Sequence, residues 1–244
     1  MVDVHCHMLP NVDDGSKSWE MTEEMCRIAA KDGITHIVCT PHANDEYNYN
    51  RSQLQLALQQ LKKVAGDTLS FSLGCDFHFS YDNVQSAMED PDQFVISGTD
   101  YLLVEFSDYA MSPAVGQSLM RLSAMGIKPV ITHPERNLIM QRNPDHVLRF
   151  AEKNCVIQIT ANSLTGHWGA GPKKMARWLL DHDAVHVIAT DAHDPKFRPP
   201  VLSKARDFVA EAYDDDLARA LVDENPAAII RGLPLPYFPQ PLKQ

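Results

Sequence analysis

An α/β fold built on parallel strands, closed into a barrel or left as an open sheet, follows from three features of the sequence. Short β-rich runs alternate with stretches of helical period along most of the 244 residues. Strand, helix and strand in succession require right-handed crossovers and therefore parallel pairing. Polar residues of one kind, His, Asp and Glu, gather where the strands end, which is where parallel α/β folds place their chemistry. The length suits one full α/β domain over 1–244, and no composition break or short-period repeat divides it.

The first strand occupies the N-terminus, Met1 to His7, and its alternation predicts that Asp3, His5 and His7 share one face. Ser16 or Ser18 can cap the helix that follows, where Met21, Met25, Ile28 and Ala29 form a stripe ended by Gly33. Ile34 to Thr40 is the second strand. Arg51 to Ala65 carries Leu54, Leu58 and Leu61 at helical spacing, and Leu69 to Asp76 is the third strand. A short helix around Asn83 to Glu89 precedes the fourth strand, Tyr101 to Phe106. Val115, Leu119 and Leu122 share a helical face before Gly126, and the fifth strand runs from Ile127 to Thr132. Pro144 and Pro172 suit the first turns of two further helices, with Val147, Leu148 and Ala151 inward on one and Met175, Leu179 and Leu180 on the other. The sixth and seventh strands are Val156 to Thr160 and Val185 to Thr190. Helices around Phe208 and Val209 and over Ala227 to Ile230 close the chain, and the proline-rich tail after Gly232 is expected to be irregular.

Composition excludes several classes. A net charge of -10 argues against non-specific binding to nucleic acid or anionic membrane. No apolar run approaches the roughly 18 residues of a membrane span, so no membrane insertion is expected. Five cysteines at irregular spacing make neither a disulfide framework nor a CxxC metal pair, and no export signal is visible; the expectation is a cytoplasmic protein with reduced thiols. None of the cysteines opens a Cys-x5-Arg phosphate loop, which excludes a cysteine-based phosphatase.

At the strand ends stand His5 and His7; Thr40-Pro41-His42; Asp76 with His78 two residues on; Glu105; His133-Pro-Glu-Arg136; and Asp191-Ala-His193. Asp13 and Asp14 sit in the loop after the first strand. Each has an ordinary reading as turn chemistry or strand punctuation. Together, six of the seven strand ends offer imidazole or carboxylate, more than the roughly three side chains one catalytic ion needs, so two or three divalent ions are implied. His36 and His186 fall inside strands as packed or surface residues. His146 and His182 fall on helices as solvated ones. His167, in Gly166-His-Trp-Gly-Ala-Gly171, belongs to a possible loop over the site.

The series Asp3-x-His5-x-His7, Val12-Asp-Asp-Gly15, Thr40-Pro-His42, Glu105, His133-Pro-Glu-Arg136 and Asp191-Ala-His193 resembles the polymerase and histidinol phosphatase (PHP) superfamily. Within it, the chain is similar to the bacterial manganese-dependent tyrosine-protein phosphatases of capsule and exopolysaccharide operons. That resemblance covers residues 1 to about 195 and implies a distorted (β/α)7 barrel with three metals. It implies His5, His7 and Asp191 on one ion, Glu105 and His133 on a second, and Asp14, His42 and His193 on a third, with Mn2+ expected and Zn2+, Fe2+ or Co2+ possible. A bridging carboxylate follows from the third strand. Here the chain departs from the family's usual Gly-x-Glu and has Asp76, one methylene shorter, with His78 as the reserve. Arg136 and Arg198 are the expected phosphate-binding groups, since guanidinium matches phosphate geometry. The implied reaction is phosphomonoester hydrolysis by water that the ions activate, with phosphotyrosine protein, in particular the tail of a bacterial tyrosine kinase, as partner. A phenol of pKa near 10 is a leaving group that needs little protonation, and no general acid is assigned. The alternatives are a histidinol-phosphate or other small-molecule phosphatase, and a metal-bound regulatory module without turnover. The sequence leaves the oligomeric state open.

Overall fold

A computed structural model describes residues 1–241; the last three residues of the proline-rich tail lie outside the described residues. All strand pairs are parallel. Strands β1 (Val2–Cys6), β2 (His36–Cys39), β3 (His42–Ala43), β4 (Ser70–Leu73), β5 (Asp76–His78), β6 (Tyr101–Glu105), β7 (Lys128–Thr132), β8 (Val156–Thr160) and β9 (Val187–Ala189) form two sheets, ordered β1-β2-β4 and β3-β5-β6-β7-β8-β9.

The second and third expected strands are each broken in two, for local reasons. Pro41 has no N–H to give to a ladder, and it separates β2 from β3. Gly74, between β4 and β5, has room for no side chain: an added Cβ would lie 3.0 Å from Val38 and 3.1 Å from Ile96. Beyond these breaks His42 and Asp76 pair directly in register, and His78 pairs with Glu105. The breaks therefore carry the ends of both strands toward the remaining strand ends. At the other edge, β1 is tied to the segment after β9 by His7 N–H to Ala192 O (2.8 Å) and Asp191 N–H to His5 O (2.8 Å).

The helices fall where apolar period and caps place them. Helix α1 (Trp19–Asp32) begins at Ser18, whose hydroxyl accepts from Met21 N–H, and ends at Gly33 in the left-handed region. Helix α2 (Arg51–Ala65) buries Leu54, Leu58 and Leu61 as expected. Helix α3 (Tyr81–Glu89) starts two residues earlier than the sequence reading because Ser80 caps it. Helices α4 (Val115–Ala124), α5 (Leu138–Arg142), α6 (Asp145–Glu152), α7 (Ala161–Thr165) and α8 (Ala170–Asp181) follow, with Pro144 as the N-cap residue of α6 and Pro172 in the first turn of α8. The short α5 and α7 carry too few turns for a periodic signal. Helices α9 (Ser203–Ala212), α10 (Asp215–Arg219) and α11 (Asn225–Ile229) close the chain.

Two packed layers result. One face of the strands meets the helices through residues such as Ile37, Leu102, Ile131 and Ile157. The other face packs strand on strand: Val2, Val4, Val38, Leu103, Val130, Val156 and Val187, drawn from both sheets, form one cluster with Ile229. The described part of the proline-rich tail is irregular, as expected, and is anchored by side chains. Leu233 O accepts from the Tyr101 hydroxyl (2.7 Å), Tyr237 N–H donates to Asn225 Oδ1 (3.0 Å), and Phe238 lies edge-on to buried His186.

His182 is a correction: instead of being solvated it stacks on Trp178, ring centroids 3.9 Å apart, with Nδ1 at 2.7 Å from the Trp178 carbonyl. Asp3 is another. The β1–β2 register shifts between Asp3 and Cys6, which breaks the simple alternation. Its carboxylate, instead of joining the histidines, accepts from the Thr190 hydroxyl (2.5 Å), Thr190 N–H (3.0 Å) and His5 N–H (3.3 Å). It fastens the β1–β9 seam beneath the site, and burial raises its pKa to about 6.

Candidate metal centre and its relatives

Beyond the apolar layer, the strand ends bring the polar residues together. His5 and His7 project from the end of β1, and the loop after β1 folds back so that Asp14 approaches them. Gly15 makes this turn possible, because a Cβ there would stand 2.2 Å from the His7 carbonyl oxygen. Asp14 Oδ1 lies 3.3 Å from both His42 Nε2 and His193 Nε2. Asp191 Oδ1 lies 3.4 Å from both His5 Nε2 and His7 Nε2. Asp76 Oδ2 lies 3.4 Å from His5 Nε2 and 3.2 Å from His42 Nδ1. Glu105 reaches His42 Nδ1 at 3.6 Å with one oxygen and His133 Nε2 at 3.7 Å with the other. Every expected ligand is thus present in one cluster. His133 (φ 33°) and Asp191 (φ 51°) hold left-handed backbones, strain that non-glycine residues tolerate where surrounding structure fixes them.

The donors fit cations on three grounds. Asp76 is fully buried and accepts no hydrogen bond of good geometry on either oxygen, its Oδ2 facing the imidazole nitrogens of His42 at 3.2 Å and His5 at 3.4 Å, and His42 Nδ1 and His193 Nε2 are buried with carboxylates near but poorly aligned; groups satisfied this incompletely are costly unless something else binds them. His5 Nδ1 and His7 Nδ1 face acceptors, Gln158 Oε1 at 2.9 Å and Asp13 Oδ2 at 2.8 Å, so each ring must donate there. Their Nε2 atoms then face one another at 3.2 Å, so that either a shared proton or a cation must stand between the two lone pairs. Finally, His193 Nδ1 lies 3.0 Å from the Asp191 carbonyl. Rings oriented by a carboxylate, an amide and a carbonyl in this way are the usual support of metal-binding imidazoles. Three groups of donors lie close enough to share an ion: His7, Asp14, His42 and His193; His5, His7 and Asp76; and His42, Asp76 and Glu105. Asp76 belongs to two of them; the expected ligands His133 and Asp191 belong to none, standing instead beside Glu105 and beside His5 and His7, and neither does His78, 29% exposed and 3.9 Å from Glu105.

Charge in the cluster favours cations too. Burial works against the charged form of His5, yet Asp76 and Asp191 outweigh it and raise its pKa to about 9. Burial likewise opposes charge on His42, but Asp14, Asp76 and Glu105 raise it to about 11. In contrast, burial and the neighbouring His7 lower His193 to about 4. Burial disfavours charge on Asp191, but Arg198, Arg136 and His193 hold its carboxyl well below the usual carboxylate range. At pH 7 a metal must therefore displace protons from His5 and His42. Apparent metal affinity should fall as pH drops below about 11, where His42 takes up its proton, and more steeply below about 9, where His5 does, and metal uptake should release protons, which calorimetry in buffers of different ionisation enthalpy reads directly. Equal heats in all buffers would contradict this.

Arg136 and Arg198 converge on the outer side of the same cluster. Arg136 Nη1 and Arg198 Nη2 both donate to Asp191 Oδ2, the latter at 2.6 Å. Sequence reasoning missed what holds them: Trp168, whose ring carries the Arg136 guanidinium at 4.4 Å and that of Arg198 at 5.3 Å. The Gly-rich stretch does approach the site, but its tryptophan rather than His167 lines the cavity. Gln158 and Asp13 were also missed as orienting groups. A glutamine amid the apolar run Val156–Thr160 was the available signal for the first, and the tandem aspartates for the second. Above the donors lies a cavity of about 680 Å³ bordered by Tyr47, Tyr109, Leu138 and Trp168 as well as His133 and Arg136.

Parallel strands whose ends present imidazoles and carboxylates in overlapping sets, with two guanidiniums alongside, define a class: α/β proteins equipped for several divalent ions and an oxyanion. The chain belongs to the capsular polysaccharide synthesis family CpsB/CapC, which it matches over residues 1–231. Tyrosine-protein phosphatase YwqE of Bacillus subtilis (strain 168) is 31% identical, covering 100% of this chain and 97% of YwqE. Tyrosine-protein phosphatase CpsB of Streptococcus pneumoniae is 28% identical over 94% of this chain and 98% of that protein. A crystal structure from work on these two proteins, described as unique metal-dependent tyrosine phosphatases, superposes with a TM-score of 0.91 at 30% identity and covers 100% of both chains.

Proposed function

We propose that this chain is a metal-dependent tyrosine-protein phosphatase of the PHP type, a single domain over 1–244 that acts on a bacterial tyrosine kinase in the control of capsule or exopolysaccharide synthesis. The reading is carried by one observation: Asp191 stands between the imidazoles of His5 and His7 on one side and the guanidiniums of Arg136 and Arg198 on the other. Cation donors and phosphate-binding groups thus meet at one residue. The hydrogen bonds between β1 and the segment after β9, and the cluster that unites both sheets, support a distorted seven-stranded barrel as the scaffold.

His5, His7 and Asp191 would hold one ion, Glu105 and His133 a second, and Asp14, His42 and His193 a third, with Asp76 shared between the first two. Imidazole and carboxylate without thiolate suit manganese, with zinc, iron(II) or cobalt as substitutes. Bound divalent ions lower the pKa of water and offset charge on phosphoryl oxygens. The protein's own groups supply the rest. Arg136 and Arg198 now share one oxygen of Asp191, and phosphate oxygens can compete for the same N–H groups, placing positive charge where it builds up on the transferring phosphoryl group. Tyr47, Tyr109 and Trp168 border the cavity with aromatic surface suited to a phenyl ring. All five cysteines are buried, and burial raises the Cys6 thiol well above its ordinary pKa, which agrees with a mechanism free of thiolate.

Kinetics on a phosphotyrosyl peptide, a phosphoseryl peptide and histidinol phosphate, with manganese added, test the assignment. The expected order places the phosphotyrosyl peptide first in kcat/KM. Preference for histidinol phosphate would transfer the chain to small-molecule chemistry on the same fold, and no turnover of any phosphoester would make it a binding module.

A further inference from the structure

Two grooves adjoin the candidate active-site cavity. The first, about 440 Å³, shares Tyr109 with that cavity and carries His146, Arg149 and Lys153. The second, also about 440 Å³, takes His167, next to the Trp168 that borders the cavity, and is lined by Lys196 and Lys204 as well. The chain has 32 acidic and 22 basic residues, yet no aspartate or glutamate lines either groove. Arg149, Lys153, Lys196 and Lys204 are exposed, and among the described residues none is paired with a carboxylate. Each groove also presents one strongly exposed aromatic ring, Tyr109 at 89% and Phe197 at 73%. Cations left unpaired on an acidic protein, in two grooves next to one cavity, complement an anionic chain longer than the reacting residue.

We propose that the substrate is an extended acidic polypeptide, its phosphotyrosine in the metal centre and flanking carboxylate side chains in the two adjoining cationic grooves. The proposal rests on the phosphotyrosyl-protein reading above and adds what selects among such proteins. Tyr109 and Phe197 pack against the peptide, while the four cations set encounter rate and register. Small phosphoesters reach the metal centre without touching the grooves.

The test compares wild type with the variant Arg149→Gln/Lys153→Gln/Lys196→Gln/Lys204→Gln, both manganese-loaded. The substrates are a phosphotyrosyl peptide flanked by Asp and Glu, its Asn/Gln counterpart, and p-nitrophenyl phosphate. At low salt the variant should raise KM for the acidic peptide about tenfold with kcat unchanged, a loss that shrinks in high salt as charges are screened. The neutral peptide and p-nitrophenyl phosphate should be unaffected, which also reports an intact fold. A wild type that ignores flanking charge, or a variant impaired equally on all three, overturns the proposal. Fluorescence anisotropy with the acidic peptide bearing unphosphorylated tyrosine reads the grooves independently of turnover. Wild-type binding that is lost in the variant, without hydrolysis of either phosphopeptide, would refute the tyrosine-phosphatase reading and keep the grooves, whereas binding equal to that of the neutral peptide would refute the grooves alone.

Discussion

Asp76→Ala is expected to lose more than one equivalent of bound metal and nearly all activity. The carboxylate is fully buried, accepts no hydrogen bond of good geometry, and stands within 3.4 Å of both His5 Nε2 and His42 Nδ1. Ions in two-metal sites sit about 3.5–4 Å apart, so a single shared carboxylate offsets the charge of both. Removing it leaves His5 and His42 crowded without their shared anion. The shorter aspartate can serve because β5 begins at Asp76, directly in register with His42, which brings the backbone itself into the cluster. His78→Ala should be much milder, since that ring is partly exposed and reaches only Glu105, at 3.9 Å. Metal stoichiometry for the two variants decides between them. Full metal content in Asp76→Ala with depletion in His78→Ala would reverse the assignment.

Arg136→Ala should lower kcat/KM for phosphoesters by about 10²-fold or more while metal content stays unchanged. Its guanidinium is tied to Asp191 and stacked on Trp168, so the side chain is held before substrate arrives. Trp168→Ala should produce a smaller loss, about tenfold, by freeing both guanidiniums, and Trp168→Phe should recover part of it because a ring face remains. Normal kinetics in Arg136→Ala would reduce the residue to a structural partner of Asp191.

Much of this was legible in the sequence because the period of a strand and the position of its end are local properties. The seven expected strands are present, and His5, His7, His42, Asp76, Glu105, His133, Asp191 and His193 lie at or just past their ends. The breaks at Pro41 and Gly74 were harder to read. A proline or glycine punctuates a strand, but only the neighbouring strand shows that pairing resumes after it in a second sheet. Asp3 was misplaced because a register shift is set by the partner strand, not by alternation within one strand. Trp168 lay outside the histidine pattern altogether. Its role depends on two arginines 32 residues before and 30 after it, a contact that no local signal encodes. His182 looked solvated on its helix because Trp178, one turn earlier, offers a ring to stack on only once both side chains turn the same way.

Titration of chelator-stripped protein with manganese, following hydrolysis of a phosphotyrosyl peptide beside metal analysis, tests the account at its centre. Stripped protein should be inactive, and activity should appear only as more than one equivalent is taken up by the donors around Asp76. Full activity in protein shown by metal analysis to hold no divalent ion would contradict the account.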